Sequence, residues 1–243
     1  MKLALLEELN RARAGKRQVC LLRLLDQGAE ALVVEGELRL GGPLPEELIA
    51  AARRALREDR CQLLETSAGR IFLQVFNPPL RLVLVGAVHI AQALAPMAAL
   101  AGYAVTVVDP RRAFATDSRF PDIALVSDWP DEALESLAPD RRTAVVTLSH
   151  DPKLDDPALI VALRSEAFYI AALGSRRTHA KRLERLREAG FTEAELARIH
   201  GPAGLDIGAV SPAEIAISVL AQMTAVLRRG TARIPSVGGE QAS

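Results

Sequence analysis

The feature of this sequence best suited to chemistry is a glycine followed roughly 20 residues later by an aspartate. Gly86 follows an apolar, β-branched run at residues 82–85, and Asp109 follows a second such run at residues 104–108. An alanine-rich segment typical of a helix lies between them. In this order, N–H groups at the helix start can bind a phosphate, and the carboxylate can accept hydrogen bonds from a ribose. The stretch therefore predicts a nucleotide-binding βαβ unit.

The glycine fingerprint of dinucleotide-binding turns is incomplete in this unit. G-x-G-x-x-G/A corresponds to Gly86-Ala87-Val88-His89-Ile90-Ala91, in which the first glycine is present and Ala91 can replace the third. Val88 occupies the second position, where a side chain would crowd a pyrophosphate. Three interpretations stay open: dinucleotide binding, binding of another ligand, and a scaffold that binds nothing.

Polar or glycine residues also follow the other predicted strands, at residues 143–148 and 168–173. Because ligands bind beyond the C-terminal ends of parallel strands, we expect these residues to converge at one edge of the sheet. The predicted binding residues are Gly86, Ala87, Val88, His89, Asp109, Arg111, His150, Asp151, Gly174, Ser175, Arg176 and Arg177.

The segment at residues 174–178 offers backbone N–H groups, a hydroxyl and guanidinium groups at a helix start, which favours an anion site. The alternative is a basic first turn packed against acidic neighbours. His89, at the start of the preceding helical segment, either hydrogen-bonds a ligand as a neutral imidazole or caps and packs the helix.

His150 and Asp151, with Asp155 and Asp156, resemble a metal cluster, but acidic residues before a helix are ordinary caps. We therefore predict no metal site and interpret His150 as a ligand contact. No Ser-His-Asp order or Cys-His pair is convincing, so no catalytic residue is predicted.

The remaining elements must position these residues. From residue 81 onward, short apolar runs alternate with helical segments, which predicts an α/β fold: a Rossmann-like parallel sheet with helices on both faces. We predict this domain over residues 81–230, after a small N-terminal α+β domain at 1–76 and a Pro-rich joint at 77–80. A flexible tail is predicted at 231–243.

One further helix is predicted at residues 192–200, because Thr192 and Glu195 form a capping-box pair. His179 and His200 lie on predicted helices among charged residues, and both are expected to be solvated.

The composition limits the function classes. The chain has 243 residues, 49% of them hydrophobic, which suits one large or two modest domains. Lys+Arg and Asp+Glu are both 30, so no basic face for nucleic acid is indicated. Glu7 and Glu8 interrupt the first apolar run, which argues against a signal peptide and favours the cytoplasm. Cys20 and Cys61 are expected to be small core residues with free thiols.

The apolar stretch at residues 82–108 is not expected to span a membrane. Gly86, Pro96 and Gly102 divide it into pieces too short to cross a hydrocarbon core of about 30 Å.

Together these motifs resemble the xanthine dehydrogenase accessory factor (XdhC/CoxI) family. The resemblance covers about residues 81–228. Its motifs are Gly86-Ala87-x-His89, Asp109-x-Arg111, Arg119-Phe120-Pro121, His150-Asp151, Tyr169-x-x-x-Leu173-Gly174-Ser175-Arg176-Arg177-Thr178, Pro202-x-Gly204-Leu205-Asp206-Ile207-Gly208 and Pro212-x-Glu214-Ile215-Ala216. Family members usually have a glycine where Val88 stands.

The resemblance implies a Rossmann-like domain in a cytoplasmic accessory protein that binds molybdenum cofactor, as molybdopterin or its cytosine dinucleotide. It implies insertion of that cofactor into a xanthine dehydrogenase-type molybdenum hydroxylase. The implied partners are the apo hydroxylase, a cysteine desulfurase (sulfurase) and a second copy of the chain in a homodimer.

We therefore interpret the chain as a non-catalytic molybdenum-cofactor-binding maturation factor. A phosphate or pyrophosphate is expected against residues 86–89 and 174–177, with Asp109 and His150 hydrogen-bonding polar edges of the ligand. The alternatives are an NAD(P)-dependent oxidoreductase and a nucleotide-sensing regulatory module on the same domain. Val88 and the lack of an acid–base pair argue against the oxidoreductase.

Overall fold

The computed structural model of the protein describes residues 3–66 and 69–229. The chain divides into two compact units, the first ending at Pro78 and the second beginning at Pro79. The tail predicted at residues 231–243 lies outside the described residues. Among the helices that are described, none combines the length and apolar character needed to cross a membrane.

The first unit is an antiparallel sheet of five strands with one helix on each face. Alternation along the strands creates the two faces: Val19 and Leu21 pack with the first helix, whereas Cys20 and Leu22 pack with the second. The strand order is β3-β2-β1-β5-β4. The elements are α1 (Leu3–Ala14), β1 (Val19–Leu24), β2 (Ala29–Val34), β3 (Glu37–Leu40), α2 (Glu46–Glu58), β4 (Gln62–Thr66) and β5 (Gly69–Phe76).

The second unit is a six-stranded parallel sheet flanked by helices, which confirms the predicted α/β, Rossmann-like fold class. Its elements are β6 (Leu80–Val85), α3 (His89–Leu100), β7 (Tyr103–Val108), β8 (Ala124–Val126), α4 (Pro130–Leu137), β9 (Thr143–Thr147), α5 (Pro152–Arg164), β10 (Tyr169–Ala172), α6 (Arg176–Glu188), α7 (Glu193–Leu196), β11 (Ile199–His200) and α8 (Pro212–Arg229).

The strand order, β8-β7-β6-β9-β10-β11, places β6 at the centre of this sheet. From β6 the chain first builds outward through β7 and β8, then returns to the other side of β6 and builds through β9, β10 and β11. This is the doubly wound order, in which the direction of building reverses between β6 and β9. Ligands in such sheets bind beyond the strand ends at that reversal, the topological switch point.

Both faces of the sheet are covered, which explains its unbroken apolar strands. Leu82 and Leu84 of β6 pack in the core formed with α3 and α8, whereas Val83 and Val85 pack in the core formed with α4, α5 and α6. All four side chains are nearly or fully buried. The two cores fix the positions of the strand ends and therefore of the loops that follow them.

The turn after β6 requires glycine. Gly86 has a φ of +107°, in the region that side chains disfavour. A Cβ atom at this position would lie 3.0 Å from the backbone nitrogen of Ser149 and 3.1 Å from its Cα. The loops after β6 and β9 are therefore in direct contact at the switch point.

The predicted helix at residues 192–200 is only partly present. The capping box of Thr192 and Glu195 is confirmed, but α7 ends at Leu196. Ile199 and His200 instead form β11, because their backbone can pair with the open edge of β10 and the Ile199 side chain is buried there. The prediction that His200 is solvated is wrong, since its ring stacks on Tyr169 with centroids 4.9 Å apart.

Two other side chains differ from expectation. His179 is half-buried, and burial lowers its pKa. Cys20 is buried as predicted, and burial raises the pKa of its thiol to about 12. Cys61 is exposed, so its prediction as a core residue is wrong. Cys61 directly precedes the edge strand β4, and the apolar residues that follow it in the sequence did not show whether its side chain faces the core or the solvent.

We predict that Gly86→Ala destabilises the second unit more than Gly102→Ala. Gly102 has a φ of +90° and no neighbouring atom within 4 Å of a Cβ, so this matched variant carries only backbone strain, about 1–2 kcal/mol. Crowding against Ser149 should add about 2 kcal/mol in Gly86→Ala. Urea unfolding followed by the fluorescence of Trp129, the one tryptophan of the chain, measures both. Equal destabilisation would contradict the proposed contact.

Candidate functional site

The first predicted binding segment, residues 86–89, forms the turn between β6 and α3. Val88 occupies the N-cap position in extended conformation, and no side chain of the cap accepts a hydrogen bond from the first helical turn. His89 begins the helix and is exposed, whereas Val88 is half-buried against the core of α3 and α8. The start of α3 therefore has N–H groups directed toward the C-terminal edge of the sheet without a side-chain cap.

The carboxylate of Asp109 is fully buried at the end of β7 and accepts four hydrogen bonds. Oδ1 accepts from the backbone N–H of Arg111 at 3.0 Å and from its Nε at 2.9 Å. Oδ2 accepts from Nη2 of Arg111 and from the backbone N–H of Ala87, both at 2.8 Å. Asp109 thus joins the turn after β6 to the loop after β7, and donors of the protein occupy both oxygens.

The surroundings of Asp109 favour its charged form. Burial alone would raise its pKa, but the hydrogen bonds from Arg111 and from the Ala87 N–H outweigh burial and hold the pKa below its usual range. The same pairing raises the pKa of Arg111, to which Asp151 and Asp155 contribute more weakly. Arg111 therefore stays charged between the ends of β7 and β9.

The loop after β7 orders an exposed aromatic ring beside Arg111. The Arg111 guanidinium carbon lies 4.7 Å from the ring centroid of Phe114. Arg119 donates to the carbonyl of Phe114 at 2.7 Å and to Oε1 of Gln92 at 2.9 Å. The predicted Arg119-Phe120-Pro121 motif thus fixes this loop against α3.

The loop after β9 is held by side-chain hydrogen bonds. Ser149 donates from Oγ to Oδ1 of Asp155 at 2.6 Å, and the same Oγ accepts from the backbone N–H of Asp151 at 3.1 Å. Asp151 caps α5 by accepting from the N–H of Lys153 at 2.9 Å. His150, between them, is exposed and has a φ of +62°. A non-glycine residue in this conformation is uncommon and is found disproportionately at functional sites.

The loop after β10 leads into the basic helix α6. Ser175 is its N-cap and accepts from the backbone N–H of Thr178 at 3.1 Å. Gly174 has a φ of +135°, and a Cβ there would lie 3.2 Å from side-chain carbons of Thr178. Arg176 and Arg177 are exposed in the first helical turn.

A cavity of about 220 Å³ lies between the starts of α5 and α6. It brings together two predicted residues, His150 and Arg177, and lies beside Asp151 and the 174–176 loop. Residues 86–89, Asp109 and Arg111 do not line it. The lining residues are His150, Pro152, Asp155, Arg177, Thr178, Lys181, Arg182 and Arg185.

Sequence reasoning missed the basic wall of this cavity. Arg177, Lys181 and Arg185 recur every four residues, which places them on one face of α6, and this spacing was a usable signal. The partnership of Asp155 with Arg182 left no such signal, because it depends on how α5 and α6 pack.

Across residues 3–66 and 69–229, no group of three or more His, Cys, Asp or Glu side chains could hold a metal ion.

We predict that Asp109→Asn lowers the free energy of unfolding of the second unit by about 3 kcal/mol at pH 7, because an amide nitrogen would face N–H donors. The pKa of Asp109 is lowered, so its contribution is present above the unfolded-state pKa of about 3.9 and is lost as pH falls through the lower folded-state value. The difference between variant and wild type should therefore shrink in acid.

Urea unfolding at a series of pH values measures this difference. Asp122→Asn, at an exposed position of the same unit, is the matched control and should change stability little. A pH-independent difference for Asp109→Asn would show that the carboxylate charge is not what stabilises this loop.

Comparison with known proteins relates the domain that carries this edge to a family. Residues 82–223 match the family model described as the XdhC Rossmann domain. The fold also resembles that of a crystal structure described as a xanthine dehydrogenase from Bacillus halodurans, with a TM-score of 0.71 and 24% identity over 96% of this chain and 68% of that chain. At this identity, the structural likeness shows the fold alone.

Three relatives have recognisable sequence identity. YqeB of Escherichia coli (strain K12), an uncharacterized protein, is 32% identical over 76% of this chain and 37% of its own length. The molybdenum cofactor insertion chaperone PaoD of the same strain is 35% identical over 62% of this chain and 41% of its own length. A probable xanthine dehydrogenase subunit of Bacillus subtilis (strain 168) is 32% identical over 65% of this chain and 46% of its own length.

The chain thus spans less than half the length of each of these three relatives. The family match, by contrast, covers more than half of this chain and includes every loop at the C-terminal edge described above. The chain belongs to the XdhC family, and the edge formed by Gly86, Asp109, Ser149 and Ser175 is part of its Rossmann domain.

Proposed function

We propose that this protein binds molybdenum cofactor and assists its maturation and insertion into a xanthine dehydrogenase-type molybdenum hydroxylase. The observation that carries the proposal is that residues 82–223 form an XdhC Rossmann domain. The chain is also 35% identical to a molybdenum cofactor insertion chaperone. A relative named as a probable xanthine dehydrogenase subunit supports the choice of hydroxylase class.

The chemistry of the edge suits an anionic, phosphate-bearing ligand. The first turn of α3 lacks a side-chain cap, and Arg176 and Arg177 are exposed at the start of α6. Helix starts and guanidinium groups are the usual partners of phosphate oxygens. We propose that residues 86–89 and 174–177 hold the phosphate or pyrophosphate of the cofactor, and that His150 contacts its polar edge.

The ligand contact predicted for Asp109 stays a prediction. Both oxygens of Asp109 already accept from Arg111 and Ala87, so a ligand hydroxyl would have to displace one of these donors. We propose instead that Asp109 mainly orients Arg111, whose guanidinium presents its remaining N–H groups to the ligand side.

The finer features of this role are proposals as well. We propose that the partners are the apo hydroxylase and a cysteine desulfurase, that the chain acts as a homodimer in the cytoplasm, and that the cofactor arrives as molybdopterin or its cytosine dinucleotide. The names of two relatives, a molybdenum cofactor insertion chaperone and a probable xanthine dehydrogenase subunit, support the class of cofactor and of recipient. The desulfurase, the homodimer, the cytoplasm and the form of the cofactor rest on the resemblance to the family alone.

We predict that the protein purified from a molybdate-supplied host carries near-stoichiometric pterin, and that Arg176→Ala loses most of it, because the first turn of α6 loses a phosphate partner. Pterin fluorescence after oxidation and molybdenum content by mass spectrometry measure the load. Arg187→Ala is the matched control, since Arg187 lies at the other end of α6 and pairs with Glu193. The control should retain the full load.

The other outcomes decide between the alternatives. Bound NAD(P) without pterin would replace this proposal with a dinucleotide-dependent oxidoreductase, and calorimetric binding of a free nucleotide alone would favour a sensing module. Loss of pterin in Arg187→Ala as well would show that the load depends on helix stability rather than on the α6 start. If neither pterin nor a nucleotide is bound, a scaffold role is the remaining interpretation.

Val88 provides a separate test of the dinucleotide alternative. We predict that Val88→Gly binds NAD(P) several-fold more tightly than the wild type in calorimetry. The valine side chain occupies the N-cap position of α3, where a pyrophosphate would approach, and the glycine removes it. An unchanged titration would show that the Val88 side chain is not the obstruction.

A further inference from the structure

The cavity between α5 and α6 has an incompletely bonded, buried guanidinium in its wall. Arg182 is 2% exposed, and its Nη2 donates to the carbonyl of Leu173 at 2.9 Å. Its Nε and Nη1 are buried and have no hydrogen-bond partner among the described residues. These atoms carry most of the N–H groups of the guanidinium. A buried charged group without partners is costly, so this arrangement indicates a missing acceptor.

Two carboxylates act on Arg182, and Asp156 is already paired with Arg185, so Asp155 is the one that could supply that acceptor but does not. Asp155 is 1% exposed, and its Oδ2 lies 3.6 Å from Nη2 of Arg182, beyond a good hydrogen bond. Its Oδ1 is held by Ser149 at 2.6 Å. The contact therefore fixes the guanidinium from one side and leaves Nε and Nη1 free.

The charge of the cavity wall is also incompletely balanced. Four cations line it, and of these Arg185 is already paired with Asp156, which accepts at 2.9 Å from Nη2. Arg177 and Lys181 have no ion pair within the part of the chain that is described. Against these cations stand the two carboxylates of Asp155 and Asp156, so an excess of two positive charges faces the cavity.

We propose that this cavity binds a doubly charged tetrahedral oxyanion, the phosphate group of a phosphorylated small molecule or free phosphate. The anion pairs with the exposed side chains of Lys181 and Arg177, and the buried guanidinium of Arg182 in the cavity wall adds its charge to theirs. The cavity volume of about 220 Å³ equals that of roughly seven waters at about 30 Å³ each. This volume accommodates a phosphate and the first atoms of its ester group. The proposal does not rest on the molybdenum cofactor: His150 and Arg177 are shared with the residues proposed above for the cofactor, whereas Lys181 and Arg182 are not.

Calorimetry on the full chain tests the proposal with three probes: inorganic phosphate, cytidine monophosphate and cytidine. We expect saturable binding of both phosphate probes and none of cytidine. Tighter binding of the monophosphate than of inorganic phosphate would identify a phosphorylated molecule as the source, and the reverse would identify free phosphate. Absence of binding by both phosphate probes, or equal binding of cytidine, would overturn the proposal.

Two variants locate the site. Lys181→Gln should weaken phosphate binding roughly tenfold, the usual effect of removing a charge-assisted contact. Lys16→Gln, which removes an exposed lysine of the first unit, should bind as the wild type does. Equal weakening in both variants would show that only overall charge matters, and no weakening in Lys181→Gln would place the anion elsewhere.

The double variant Asp155→Leu/Arg182→Met removes the buried charges together, which leaves neither group unpaired. We expect it to lose saturable phosphate binding while retaining the wild-type unfolding transition reported by Trp129. Retained binding in this folded variant would overturn the role of Arg182. If the variant does not fold, the comparison of Lys181→Gln with Lys16→Gln decides. The co-purified pterin is read separately, so failure of either proposal leaves the other measurable.

Discussion

The buried carboxylate of Asp109 is the constraint on which the C-terminal edge depends. It lies at the end of β7 with no solvent exposure, so its charge must be met by donors of the protein. Arg111 supplies three of them and the Ala87 N–H supplies the fourth. Moving the loop after β6 or after β7 would leave a buried charge with unfilled acceptors. The start of α3 and the position of Arg111 are therefore fixed relative to the sheet.

A second buried charge pair, Asp155 with Arg182, differs from the first in how completely it is bonded. Asp109 has every oxygen occupied by close donors, whereas Arg182 keeps Nε and Nη1 without partners and Asp155 keeps Oδ2 without a hydrogen bond. Buried ion pairs are weak evidence for stability unless hydrogen bonds satisfy the buried groups, because desolvation opposes their attraction. The four hydrogen bonds to Asp109 meet this condition, so the first pair has a structural explanation. The second lies beside a cavity lined by cations, the site at which we propose that an anion binds.

The sequence predicted the order of most elements of the Rossmann-like sheet but not the partners of their charged side chains. The Gly86 turn, the apolar runs and the Ser175 helix start predicted the Rossmann-like sheet, because buried parallel strands leave a strong apolar pattern. The strand Ile199–His200 was missed, since two residues carry no periodicity and pair only because β10 offers an open edge. Asp109 was placed correctly at a strand end, yet its pairing with Arg111 could not be deduced. Arg182 gave no signal among the many basic residues of α6, because its burial depends on α5.

Ser149 connects the two regions of the edge. Its backbone lies against Gly86 at the switch point, and its N–H and hydroxyl donate to Asp155 at 3.3 and 2.6 Å. The two proposed sites, at the start of α3 and beside Arg182, thus lie next to residues that contact one loop. Coupling between two sites requires an element whose position both ligands influence. The loop after β9 lies beside Gly86 on one side and is hydrogen-bonded to Asp155 on the other, so it is the element through which the two proposed sites would be coupled.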